Sequence, residues 1–358
     1  MRTLRRYITK HVLGSTVLVF VALLMLFSFF DFIQELGELD RGKYRLSLAL
    51  LKVALSVPGH VYELFPIAAL LGTLFALAQL VAHSEYTVMR VSGLSAGAMM
   101  LILLPLGLLF AILTFVVGEF VTPISEAAAQ RLLLKATNTG VVAQEFRSGL
   151  WVKDDNSFVN VAQVGPDASL ARVHIYEFDG KYRLKSVSEA RTGQYRGSDR
   201  WRLQDVVRTR FEETRTSASR EAEAEWHSVL NPSILNVLMV VPEKMSVASL
   251  FAYLDHLREN RQATERHEIA LYTKLAYPFA VIVMMSLALP FAYVRIREGG
   301  ISGKIFVGIM VGLGFHLVSR LFGHLGLLNA WHPLFSAAFP TALFLAVGLG
   351  MIWWMERR

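Results

Sequence analysis

The sequence predicts a polytopic α-helical membrane protein, with six transmembrane helices and one antiparallel β domain inserted between the third and the fourth. Three observations carry that class. Charged residues make up 18% of the 358 and hydrophobic ones 54%, whereas a soluble globular chain is about a quarter charged. Six stretches are apolar for long enough to cross a bilayer core, which takes about 20 helical residues at 1.5 Å each. Between the third and fourth lies a block, 122–270, patterned in another way.

The apolar stretches are 12–30, 64–81, 98–121, 271–293, 305–328 and 333–354. The first follows "MRTLRRYITKH" and runs into "FDFIQELGELD" with no small-residue cleavage site, so it reads as a retained span, not a leader. Asp31, Glu35, Glu38 and Asp40, then Arg41, Lys43 and Arg45, surround its far end. They suit either an amphipathic interfacial segment or bases that meet anionic head groups, and the sequence leaves both open.

"AHSEYTVMRVSGLSAG", residues 82–97, separates the second and third spans. Ser84 can cap a helix with body Glu85–Ser92, stopped by Gly93. Two turns of helix are unstable alone in water. A supporting partner is therefore expected, with Tyr86, Val88, Met89 and Val91 as apolar contacts, Glu85 as charged anchor and Arg90 beside them. A plain connecting turn is the alternative.

In the inserted block, "GLWVKDDNSFVNVAQV", "ARVHIYEFDGKYRLKSV" and "GQYRGSDRWRLQDVVRTRFEE" are β-rich runs broken by turn formers. Asp179-Gly180 is a hairpin signal; Asp154-Asp155-Asn156 and Gly197-Ser198-Asp199 are weaker ones. The spacing fits an antiparallel meander, sandwich or jelly roll. Val173, Ile175, Tyr176 and Phe178 put apolar residues on both faces of one run, giving a two-sided core or a second apolar surface. From Ser246, a possible N-cap, Leu250, Tyr253, Leu254 and Leu257 fall at helical spacing.

The net charge of +7 lies outside this block, which holds 20 basic and 20 acidic residues and leaves 16 against 9 for the rest. That distribution argues for membrane orientation and against nucleic-acid binding. With the N-terminus inside, ten bases lie on the cytoplasmic side: Arg2, Arg5, Arg6, Lys10, Arg90, Arg295, Arg297, Lys304, Arg357 and Arg358. The opposite short loops hold four: Arg41, Lys43, Arg45 and Lys52. Both termini are thus expected inside and the block outside. Trp331, Trp353 and Trp354 suit interfacial belts.

Several chemistries are excluded. The chain has no cysteine, hence no disulfide, thiolate metal site or Cys nucleophile. Gly-Lys never sits in a P-loop, His267-Glu268 lacks a second ligand histidine, and His316, His324 and His332 have non-ligand spacing. Gly93-Leu94-Ser95-Ala96-Gly97 matches G-x-S-x-G but lacks the preceding strand that a hydrolase requires, so no catalytic residue is expected. Charges within spans are costly unless paired or hydrated. Glu119 and Lys274 read as snorkelling or functional, and Arg320, beside His316, as facing water or ligand.

"LSVPGHVYELFPIAALLGTLFALAQLVAHSEYTVMRVSGLS" (55–95) resembles the second span and coupling helix of the lipopolysaccharide-export permeases, the LptF/LptG family. "GLWVKDDNSFVNVAQV" and "LYTKLAYPFAVIVMMSLALPF" (271–291) are similar to its LptG branch. The resemblance covers the chain in order and implies domains at 1–121, with a coupling helix at 84–93, at 122–270 as a periplasmic β-jellyroll with a flanking helix, and at 271–358. It implies a non-catalytic permease of the inner membrane. The expected partners are an LptF-type permease, two LptB-type ATPases and a bitopic LptC-type protein. No cofactor is implied in this chain, since ATP and Mg are bound by the ATPase. Lipopolysaccharide would enter from the outer leaflet through gates at spans one and five. Glu85 falls on the coupling glutamate, and Phe29, Phe30, His316 and Arg320 fall near the gate. Where the LptG pattern has a lysine for lipid A phosphate this chain has Asp31; Arg41, Lys43, Arg131 and Lys135 are the nearest bases.

Overall fold

A computed structural model describes residues 2–37, 39, 45–137, 150–154, 156–165, 169–180, 183–197, 199–212, 215–228, 230, 242–259, 262–293 and 300–357. The chain opens with helices α1 (Arg2–Leu36), α2 (Leu46–Ala82), α3 (Glu85–Val91) and α4 (Ala96–Val116). A π-helical turn, Val117–Val121, continues α4 into α5 (Thr122–Thr137). Six strands follow: β1 (Leu150–Asp154), β2 (Ser157–Val164), β3 (Leu170–Phe178), β4 (Leu184–Gly197), β5 (Arg200–Phe211) and β6 (Thr216–His227). The chain returns through α6 (Val247–Glu259), α7 (Glu265–Tyr293), α8 (Gly300–Leu328) and α9 (Pro333–Glu356). Six of the described helical stretches are long and apolar enough to cross a membrane. In order they are spans one (α1), two (α2), three (α4 onward), four (α7), five (α8) and six (α9), and the expected fold class holds.

Spans two and four form the centre of the bundle. Their most apolar windows are 78% and 61% buried, against 17% for both spans one and five. Close approach fixes the outer spans on span two. A Cβ on Gly72 would lie 2.3 Å from Thr16 Cα, and one on Gly308 would lie 2.6 Å from Leu74 Cδ2. Hydrocarbon gives helices no hydrophobic reason to associate, so such small-residue contacts, which let backbones pack closely, hold them together.

The second helix begins at Leu46, well before the predicted 64, because a helix need not stop where the hydrocarbon does. Its extension supplies bases for the acids of span one. Lys52 Nζ lies 2.5 Å from Glu35 Oε1, and His60 Nε2 lies 2.6 Å from Asp31 Oδ2. Span three likewise continues past 121 through α5, whose Leu132 and Leu133 pack with Leu48 on Ala49.

The β domain is a six-stranded antiparallel sheet in which each strand neighbours the next. Its buried face aligns Val161, Val173, Ala190 and Val206 across four strands. Trp201 is wholly buried and donates its indole N–H to Leu230 O at 2.7 Å. The opposite face of β3 carries the second apolar surface. There Tyr176 stacks on Trp151, and Phe178 meets Phe158 edge-on, both at 5.7 Å.

The strands pair up to each predicted turn, Asp154 with Ser157, Phe178 with Leu184 and Gly197 with Arg200, while Asp155 and Ser198 lie outside the described residues. At Asp179 the turn is longer than two residues, closed by Asp179 N–H to Arg183 O at 2.9 Å. Strand β6 escaped prediction, because "TSASREAEAEWH" alternates alanine and glutamate, which have weak strand preference. Pairing along β5 holds it in place.

Glu119 and Lys274 do not snorkel. Their side chains are only 11% and 4% exposed, 3.8 Å apart. Glu119 accepts the first amide of α6, from Val247 at 2.7 Å, while Lys274 donates to Met245 O. Ser246 caps the same helix, its Oγ accepting from Ser249 N–H at 3.0 Å. Nearby, Lys244 pairs with Glu126 at 2.8 Å. Residues 244–247 and the start of α6 are thus pinned to spans three and four.

Candidate functional site

Two regions collect the residues singled out by the sequence: α3, at the end of the bundle that carries both chain termini, and the faces of spans one and five toward the β domain.

Helix α3 is amphipathic in an informative way. Tyr86 and Met89, expected as partner contacts, are 6% and 8% exposed and pack into the chain's own bundle. Tyr86 stacks on Tyr293, at the end of span four, with ring centres 3.9 Å apart. Val88 and Val91 point the other way, 69% and 85% exposed, with Arg90 also exposed. An aliphatic pair this open on a two-turn helix is suited to a protein partner. Glu85 is half-buried and accepts a 2.8 Å hydrogen bond from the Tyr7 hydroxyl of α1.

The helix ends as predicted and begins otherwise. Gly93 takes a left-handed conformation at φ 96°. Gly93 N–H bonds to Arg90 O at 3.0 Å and Leu94 N–H to Met89 O at 3.1 Å, the paired bonds of a Schellman end. Ser84 is itself left-handed, at φ 60°, and its side chain makes no cap bond.

The G-x-S-x-G pentad is helix punctuation throughout. Ser95 Oγ accepts from Ala98 N–H at 3.1 Å as the cap of α4, and Gly97 N–H donates to Glu356 at 3.1 Å. That bond ties the loop to the end of span six. A serine so engaged has neither the base nor the oriented acid of a nucleophile elbow.

At the other region, Phe29 and Phe30 are 57% and 52% exposed on span one. Arg320 is exposed and His316 half-buried on span five. Glu63 of span two and Arg320 both lie within electrostatic reach of the His316 ring. Tyr277 of span four donates to Glu63 O at 2.6 Å. Span one thus offers exposed aromatic side chains suited to an acyl chain, and span five a guanidinium suited to an anionic head.

The acid that replaces the expected lysine, Asp31, is taken up by His60. Arg131 is exposed on α5, near the start of α2 through the Leu132 and Leu133 contacts. Lys135 lies on the same helix, and Arg41 and Lys43 lie outside the described residues. Sequence reasoning missed Tyr7, Tyr293, His60, Glu63 and Tyr277. Each acts through a partner on another span, and only the polarity of their positions in apolar surroundings marked them.

Comparison with known proteins adds an independent line. The profile of the family described as "Lipopolysaccharide export system permease LptF/LptG" matches residues 6–357. The lipopolysaccharide export system permease protein LptG of Haemophilus influenzae is 29% identical over 359 residues, covering 100% of this chain and 99% of that protein. LptG of Escherichia coli K12 is 30% identical over 351 residues, covering 98% and 97%.

Proposed function

The chain belongs to the LptF/LptG family of lipopolysaccharide export permeases, and from that premise we propose how its two candidate regions divide the work. It is an LptG-type inner-membrane protein, the transmembrane subunit of a lipopolysaccharide transporter. In the proposed arrangement both termini and α3 are cytoplasmic and the β domain is periplasmic, as the ten-to-four excess of Lys and Arg favours.

Helix α3 is the coupling helix, and the observation that carries this is its division into two faces. Tyr86 and Met89 seat it on the bundle, while Val88, Arg90, Val91 and the edge of Glu85 are left for another protein. That protein is an LptB-type ATPase, present twice, which binds the ATP and Mg that this chain has no P-loop to hold. An LptF-type permease pairs with the chain, and an LptC-type bitopic protein joins them.

Lipopolysaccharide enters between the permeases from the outer leaflet, past spans one and five. The low burial of those spans supports this, since a gate helix must keep most of its surface outside its own bundle. Phe29 and Phe30 would meet acyl chains, and Arg320, with His316 beside it, would meet phosphate. Arg131 and Lys135 stand as further bases on the way to the β domain, and the chain carries out no catalysis.

The test is association. Glu85→Ala and Glu85→Arg are expected to lower ATPase capture in a pull-down while the chain still inserts in the membrane. Wild-type capture by both would remove the coupling role.

A further inference from the structure

Tyr7 and Glu85 lie 78 residues apart in sequence, yet the Tyr7 hydroxyl donates to Glu85 Oε2 at 2.8 Å. Tyr7 belongs to the first turns of α1, where its ring stacks on His11 at 6.1 Å. Two turns further on, the same helix is locked onto span two by the Thr16–Gly72 approach.

Helix α3 therefore meets spans one and four by different means. To span four it offers a broad ring stack, Tyr86 on Tyr293. To span one it offers a charge-assisted hydrogen bond. The stack is a broad contact with a preferred offset geometry, whereas a hydrogen bond weakens steeply once its geometry is lost. A carboxylate has about four lone-pair sites on its two oxygens. Glu85 can therefore keep Tyr7 while it accepts donors from a protein docked on the outer face.

The buried residues of span one, Ile8, Val12, Ser15 and Thr16, lie in this same stretch, so Tyr7 sits on the part of the helix that is packed on the bundle, and a pull on it is passed into that packing. Tyr7 is 46% exposed, so it contributes little to the folded core, and a hydroxyl here has more to do with position than with burial.

We propose that Tyr7 is a positioning residue: it orients Glu85 for the ATPase and carries the displacement of α3 into the foot of span one. This rests on the coupling reading of Glu85. Without the link, nucleotide-driven motion of α3 would reach span four through the stack but would reach the gate helix only indirectly.

The experiment uses the assembled transporter in proteoliposomes, scoring ATPase capture and lipopolysaccharide extracted per ATP hydrolysed. Tyr7→Phe keeps the ring and removes the donor. It is expected to lower the extraction-to-hydrolysis ratio about two- to fivefold, the size of an exposed charge-assisted hydrogen bond. 4-Aminophenylalanine, placed at position 7 by stop-codon suppression, restores an N–H donor at the same point and is expected to restore the ratio.

A wild-type ratio in Tyr7→Phe overturns the proposal, as does rescue of assembly without rescue of the ratio should Tyr7→Phe assemble poorly. Glu85→Ala separates the two layers. If it captures the ATPase normally, the coupling reading itself fails. If it loses capture while Tyr7→Phe extracts normally, only the role of Tyr7 fails.

Discussion

Replacing Lys274 by methionine tests whether the start of α6 is pinned to spans three and four by charge. The lysine is 4% exposed and its ammonium lies 3.8 Å from Glu119. At an effective dielectric of about 20, Coulomb's law gives the pair about 4 kcal/mol. Desolvating the two ions costs several kcal/mol each, so the intact pair is close to neutral overall. Removing one partner is not neutral. Lys274→Met leaves the Glu119 carboxylate buried beside the amides of Val247 and Ala248, at 2.7 and 3.4 Å, without its cation. It also takes the donor from Met245 O. The expected loss is about 3 kcal/mol. Glu119→Gln still accepts an α6 amide but leaves the Lys274 ammonium buried without its anion, and should also lose about 3 kcal/mol. The double variant should then fall short of the sum by about 1 to 3 kcal/mol. Denaturant titration of the purified protein in detergent, followed by tryptophan fluorescence, reads all three. A Lys274→Met variant within about 0.5 kcal/mol of the parent would mean that the lysine reaches water and the pinning argument is wrong.

Gly72→Ala should push span one off span two by about 1 Å, because its Cβ would sit 2.3 Å from Thr16 Cα and overpacking of this kind costs about 1 to 3 kcal/mol. A lowered melting temperature is the expected result, and Thr16→Gly should not restore it, because the close backbone atoms, Thr16 Cα and N, remain in place. Ser95→Ala should support transport at nearly the parental level, with a stability loss of about 1 kcal/mol from the missing cap on Ala98 N–H. Loss of transport at full stability would revive a chemical role for the serine. The Asp205 carboxyl is held below the usual carboxylate range by its hydrogen bond with Arg220, aided by Arg191. Its stabilising effect is therefore complete above about pH 4 and fades as pH falls through the lowered value. Asp205→Asn should flatten that acid limb in a thermal-unfolding series, which otherwise keeps its slope.

The six spans were legible because length and apolarity are properties of local sequence, and the Schellman stop at Gly93 and the Ser246 cap were legible for the same reason. The start of α2 was not. Apolar content marks where hydrocarbon ends, whereas residues 46–63 continue the helix past that limit and place Lys52 and His60 against the acids of span one. Strand β6 has no strand-forming composition and exists through its pairing with β5. In the site, Glu85 could be singled out from sequence, but which face of a seven-residue helix turns inward is set by Tyr293 and the bundle. Tyr86 and Met89 therefore looked like partner contacts and proved to be seats. Tyr7 carried no signal beyond being a tyrosine among bases near the start of a span.

The central claim, that lipopolysaccharide passes along spans one and five, is tested most directly by photo-crosslinking in membranes. A photoreactive residue in place of Phe30 or Arg320 should capture a lipopolysaccharide ladder, and one in place of Val91, on the far end of the bundle, should not. Capture at Val91 alone, with positions 30 and 320 empty, would contradict the account.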